Sequence, residues 1–163
     1  MNILRSVLKN LPEFQQLLAA LDQGASPAAV SGLGAVHAAC LGQESGRPVV
    51  MVCADEGEAE RMARDLSFFT GQAVPVLTAR QFTFHNAASV SHQWEHRRLK
   101  LLWALQQGEL PCLVASVEAL QQRTLPPDVL QGRTLRLKTG LALPVPDLAM
   151  ALSAAGYERC DQI

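Results

Sequence analysis

Three groups of residues in this sequence are of types that could do chemistry. The first is the run Ser31-Gly32-Leu33-Gly34-Ala35-Val36-His37-Ala38. A glycine-rich turn between a strand and a helix can cradle nucleotide phosphates on backbone N–H groups, with a Lys reaching them and a Ser or Thr holding Mg²⁺. Here Gly32 and Gly34 are present, but His37 stands five residues after Gly32 where a glycine is required, and Ala38 stands where the Lys is required. The loop is therefore read as degenerate, binding no cofactor, with Gly32 and Gly34 permitting a tight strand-to-helix turn. The second group is His92-Gln93-Trp94-Glu95-His96. It matches the inverted zinc-protease pattern, which sets two imidazoles on one helix face. Zinc catalysis also needs a third ligand and an open position for water, and no second ligand motif follows. A solvated helix face carrying His92, Glu95, His96, Arg97 and Lys100 is the simpler reading, so no metal site is assigned. The third is Cys53 at the end of an apolar run, a place where open α/β sheets often carry reactive groups. Nothing in the spacing links it to a histidine base, so no catalytic residue is assigned.

The basic cluster Arg97, Arg98 and Lys100, with Arg64 and Arg80 elsewhere, could meet phosphate or an acidic partner. It reads instead as a solvated basic helix face.

The elements that must position these residues follow from periodicity. Pro12 opens a helix, with Asn10 available as cap, Phe14, Leu17, Leu18 and Leu21 at helical spacing, and Gly24 as the stop. Residues 28–33 read as a short strand, and Ala35 to Leu41 as a helix of small residues. Pro48 to Ala54 (PVVMVCA) is an unbroken apolar run, which predicts a strand buried on both faces of a parallel sheet. Asp55 and Glu58 form a capping box for a helix whose stripe is Ala59, Met62, Ala63, Leu66 and Phe69, closed by Gly71. Ala73 to Leu77 is a further strand, and 79–90 a loop. Ser91 to about Gln107 is the longest helix, with Trp94, Leu101, Leu102 and Leu105 as its apolar face. Pro111 to Ser116 is a second fully apolar strand, followed by a helix from Val117 to Gln122. This alternation predicts an α/β fold: a doubly wound parallel sheet with helices on both faces.

A break at Leu125-Pro126-Pro127-Asp128 divides residues 1–124 from 125–163. The second segment reads as the start of an α+β unit: a strand from Arg133 to Lys138, a turn at Gly140, and a helix with Leu148, Ala151, Leu152 and Ala155 on one face, ended by Gly156.

Composition bounds the function classes. In 163 residues, 48% are hydrophobic and 18% charged, which is a globular and not a disordered balance. A net charge of −1 excludes the overall basic surface of a non-specific DNA binder. Cys40, Cys53, Cys112 and Cys160 show no C-x-x-C spacing and read as reduced thiols. No secretory leader is recognisable at the N-terminus, and no apolar run approaches the roughly 20 residues of a membrane span, so a cytoplasmic location is expected.

Six stretches, in order, carry a family resemblance: Val30–Leu33 (VSGL), Asp65–Phe69 (DLSFF), Thr78–His85 (TARQFTFH), Val90–Leu99 (VSHQWEHRRL), Ala115–Gln122 (ASVEALQQ) and Gly156–Arg159 (GYER). They resemble the N-terminal region of the bacterial transcription-repair coupling factors, Mfd, and span nearly the whole chain. That resemblance implies a fold similar to the first domain of the excision-repair helicase UvrB, P-loop-like but with a degenerate ATP site. It also implies a non-catalytic module of a much longer DNA translocase that releases stalled RNA polymerase and recruits UvrA. The UvrA contact would lie in the second unit, and the polymerase and DNA contacts beyond this chain. The rival readings are a small metal hydrolase using His92 and His96, and an atypical nucleotide-binding domain.

Overall fold

The computed structural model describes residues 3–24, 34–80 and 93–160. Two compact units divide between Arg123 and Thr124.

At the centre of the first unit lies a three-stranded parallel sheet in the order β1-β3-β2, with β1 at Val49–Cys53, β2 at Val76–Leu77 and β3 at Cys112–Ser116. The β1–β3 register runs from Val49 opposite Cys112 to Cys53 opposite Ser116. Helix α4 (Glu56–Thr70) carries the chain from β1 past β3 to β2, and α5 (Gln93–Gln106) precedes its return to β3. The two crossings run in opposite directions across the sheet. Right-handed crossovers therefore require the two helices to lie on opposite faces, and they do. One face is covered by Ala35, Ala38 and Ala39 of α3 (Ala35–Ser45) and by Ala59, Ala63 and Leu66 of α4, packed against Cys53 and Val114. The other carries Leu77, Leu113 and Ala115, with Ala119 of α6 (Val117–Gln121) and with Leu101 and Leu105 of α5. The apolar run Cys112–Ser116 becomes the central strand, and all five of its residues are buried.

Helix α4 shows why its boundaries could be read. Asp55 Oδ1 accepts from the Glu58 N–H at 2.7 Å, and Glu58 Oε2 accepts from the Ala54 N–H at 2.9 Å. The first satisfies a donor that a helix start would otherwise leave free, and the second ties the residue before the cap to the same turn. At the other end Gly71 takes the left-handed conformation, φ 72°, and its N–H reaches the Ser67 carbonyl.

Four expectations are corrected. The run expected to be buried on both faces, β1, is an edge strand of the described sheet: Met51 and Cys53 face the α3–α4 side, while Val50 and Val52 are 41% and 53% exposed. An unbroken apolar run reports what a strand can bury, and not where in the sheet it sits. Asn10 does not cap α2 (Pro12–Asp22), whose N-cap is Leu11. Its side chain instead donates to the Ser6 carbonyl at 2.9 Å, closing α1 (Ile3–Lys9), a seven-residue helix too short to show a periodic pattern. The break at Leu125–Asp128 holds the start of a helix, α7 (Pro127–Gly132), since proline suits a first turn whose N–H groups need no intrahelical partner. Residues 133–138 form no strand; among the described residues of the second unit there is none to pair with, and an unpaired alternating segment has no ladder to hold it. The rest of that unit follows expectation. Gly140 turns at φ 84°, α8 spans Val145–Ala154, and Gly156 stops it at φ 98°. Residues 28–33, expected as a strand, lie outside the described residues.

Candidate functional site

A ligand of an open parallel sheet binds beyond the carboxyl ends of the strands and at the helix N-termini that face them. In this chain that region begins with the entry to α3. Of the degenerate loop, Gly32 lies outside the described residues. Gly34 is the N-cap of α3, at φ −119° and ψ −174°, an extended conformation open to any residue, and a Cβ there would meet nothing within 4 Å. The steric role expected of Gly34 is thus not required. The imidazole of His37 turns back and its Nδ1 accepts the Gly34 N–H at 3.1 Å. A donor that a phosphate loop would offer to its ligand is used by the chain's own side chain. Ala38, at the position where a phosphate loop carries Lys, is 3% exposed and packs in the sheet core. A side chain at 38 points into that core.

The strand ends are tied in the same way. After β1, Asp55 and Glu58 are engaged at the start of α4. Beyond β2, the Ala79 N–H donates to Glu56 Oε1 at 2.6 Å, and Arg80 and Gln122 exchange two hydrogen bonds, Arg80 N–H to Gln122 Oε1 at 2.9 Å and Gln122 Nε2 to the Arg80 carbonyl at 3.3 Å. After β3, the fully buried Ser116 caps α6, its Oγ accepting from the Ala119 N–H at 3.1 Å.

Arg98 closes this edge, and here the reading of the basic cluster is corrected. Arg97 and Lys100 are exposed, and so is Arg64, whereas Arg98 is 6% exposed. Its Nη2 donates to the Ala119 carbonyl at 2.9 Å and the Gln122 carbonyl at 3.3 Å, and Nη1 reaches the Thr78 carbonyl at 3.5 Å. The guanidinium carbon lies 5.4 Å from the Trp94 ring centroid, within cation–π range. Burial lowers the Arg98 pKa, yet a guanidinium keeps its charge at any working pH. Among the described residues its Nε and the Trp94 Nε1 are buried without a hydrogen-bond partner, so the net gain is smaller than its three hydrogen bonds alone would give. Sequence reasoning missed Arg98. The signal was its position: Trp94, Arg98, Leu101 and Leu105 follow i, i+4, i+7, i+11, which sets the arginine on the helix's apolar stripe. Arg80 forms a 3.3 Å ion pair with Glu95, both partly exposed, a contact of small energetic weight.

The remaining candidates do not converge. His92 lies outside the described residues and His96 is exposed. Among the described residues no group of three or more His, Cys, Asp or Glu side chains could hold a metal ion. Cys53 is 5% exposed, and burial first, then the neighbouring carboxylates of Glu58 and Asp55, raise its pKa, the opposite of what activates a nucleophile. Burial raises Cys40 and Cys112 as well, while Cys160 is exposed. A maleimide added to the native chain at neutral pH is therefore expected to label one thiol quickly, Cys160, and the other three only in denaturant. Peptide mapping checks it, and rapid native labelling of Cys53 would contradict the burial described.

Together these features define a parallel α/β domain whose strand-end polar groups are bonded largely to the chain itself. Three relatives place it further. The chain is 23% identical to the transcription-repair coupling factor of Bacillus subtilis over 168 residues, covering 100% of this chain and 14% of that protein. It is 30% identical to that of Escherichia coli over 149 residues, 91% of this chain and 12% of that protein. It is 32% identical to that of Myxococcus xanthus over 120 residues, 69% of this chain and 10% of that protein. No family model matches, and no solved structure does. The chain is a relative of the transcription-repair coupling factors along its whole length, as the resemblance in the sequence implied, and spans about a seventh or less of the length of these relatives.

Proposed function

We propose that this chain serves transcription-coupled excision repair as a non-catalytic module of a coupling factor, with its α/β domain acting as a scaffold and not as a nucleotide-binding motor. The observation that carries the proposal is the entry to α3: His37 holds the Gly34 N–H, and Ala38 is buried where a phosphate-binding Lys would have to be free. The family relation supplies the process, and the loop supplies the non-catalytic role. Residues 1–124 form the degenerate P-loop-like domain and 125–163 the beginning of a partner-binding domain. UvrA is the partner expected at that second domain, with RNA polymerase and DNA engaged by other parts of the longer protein. A cytoplasmic setting agrees with this role, and among the described residues no helix is long and apolar enough to cross a membrane.

The test is a thermal-shift titration with Mg-ATP to millimolar concentration. A ligand that binds only the folded chain raises its stability by about 2.7 kcal/mol at a hundred times its Kd. No saturable rise is expected here. A saturable rise of several degrees would show a working nucleotide site and sink the proposal.

A further inference from the structure

One imidazole nitrogen holds the start of α3. Nδ1 of His37, the third residue of the helix, accepts the N–H of Gly34, the N-cap, at 3.1 Å. A nitrogen that accepts must carry a lone pair, so this ring is neutral and bears its proton on Nε2. A second proton would make Nδ1 a donor facing a donor, and would set a positive charge at the positive end of the helix. The bond and that proton exclude each other. His37 is half-buried, so a protonated ring can turn out to water while Ala38 stays in the core.

We propose that His37 is a proton-operated latch on the entry to α3, closed by the neutral imidazole and released by the protonated one. No charged group on the elements packed against α3 holds the imidazole in either state. On α1, Arg5 donates to the Phe69 carbonyl and Lys9 pairs with Glu44 of α3 itself. On α2, Glu13 and Asp22 are exposed. Helix α4 meets α3 through Ala35, Ala38 and Ala39; its Glu56 and Glu58 hold the Ala79 and Ala54 N–H groups, and Glu60, Arg61, Arg64 and Asp65 are exposed. Strand β1 carries no charge. Residues 25–33, which lead into Gly34, contain no ionisable side chain. Among the described residues the Gly34 N–H is the one partner of the ring. The direction follows. The closed form takes up no proton at Nδ1 and the open form does, so the hold on the helix start is complete at high pH and is lost as pH falls through the interval in which histidines charge, about pH 8 to 5.

Two variants fix the ends of the scale. His37→Gln puts at this position a residue whose side chain reaches back to the N-cap N–H and does not titrate. His37→Ala removes the acceptor. Amide exchange of Gly34, followed by NMR on the whole chain and corrected for the intrinsic rate at each pH, should show protection in the unaltered chain falling at least about fivefold across that interval, the scale of one capping bond. His37→Gln should keep its protection throughout, and His37→Ala should lack it at every pH. The ¹⁵N shifts of the His37 ring should show the Nε2–H form at high pH. Protection that stays constant in the unaltered chain, or falls as much in His37→Gln, would overturn the latch, as would an Nδ1–H ring at high pH. The latch does not depend on the role proposed above: an ATP-induced rise in melting temperature would sink that role and leave the proton dependence of Gly34 to stand.

Discussion

Replacing Arg98 with Met is expected to destabilise the first unit by about 2–3 kcal/mol, whereas Arg97→Met, one residue away on the same helix, should cost less than about 0.5 kcal/mol. The difference lies in what each side chain touches. Arg97 is exposed. Arg98 supplies the donors for the Ala119 and Gln122 carbonyls, and Ala119 is itself fully buried. Removing the guanidinium leaves those acceptors facing a thioether, and an unmet buried acceptor costs about 1–3 kcal/mol. Two effects hold the sum down. Met fills most of the vacated volume, and the desolvation cost of a buried charge disappears with the charge. Arg98→Lys separates shape from charge: the ammonium keeps the charge but cannot span the Ala119, Gln122 and Thr78 carbonyls as a planar fork does, so most of the loss should remain. Urea unfolding of the three variants checks the series. Equal stability of Arg98→Met and Arg97→Met would show that the buried guanidinium does not hold the strand ends together.

Leu66→Ala should cost about 3 kcal/mol, within the usual range for a buried leucine truncated to alanine. For a unit of this size that corresponds to a melting temperature lower by roughly 10 °C. Leu66 is fully buried in the cluster formed by the small residues of α3, the α4 stripe and Val114. Its neighbours Ala35, Ala38, Ala39, Ala59 and Ala63 are too short to swing into the space it leaves, so the cavity persists and adds to the lost transfer energy. Phe68, two residues on, is 75% exposed, and Phe68→Ala should be nearly silent in the same melt. A silent Leu66→Ala would mean that α4 does not pack on the sheet as described.

How much could be read in advance depended on whether the determining partner was near in sequence. The α4 helix was legible because everything that defines it lies within one segment: Asp55 and Glu58 at its start, a stripe of apolar residues at helical spacing, and Gly71 at its end. The β3 strand was legible because Cys112–Ala115 is apolar throughout and the segment is short. That Ala38 stands where a phosphate loop would carry Lys was visible in the sequence, but the way the turn is filled was not. That Nδ1 of His37 reaches the Gly34 N–H depends on how α3 begins, and that Ala38 is buried depends on α4 and β1 lying against it.

Tertiary structure alone decided the rest. The run Val49–Cys53 and the run Cys112–Ser116 look alike as sequences, yet in the sheet of the described residues β3 took the centre and β1 the edge. Strand order is set by which crossovers the chain can make, and composition carries no record of it. Arg98 read as solvated because charge usually marks a surface. It is buried because the carbonyls of Thr78, Ala119 and Gln122, up to 24 residues away, converge on one point that only a long, forked donor can reach. Residues 133–138 alternate as a strand does but take no strand form, since a strand exists only with a neighbour, and pattern alone cannot supply one. The sequence by itself determined the elements whose caps and stripes are local, the α/β class, and the absence of a phosphate-binding Lys. The placement of those elements was decided by long-range packing and hydrogen bonding, because the groups that satisfy each buried face or carbonyl come from segments far apart along the chain.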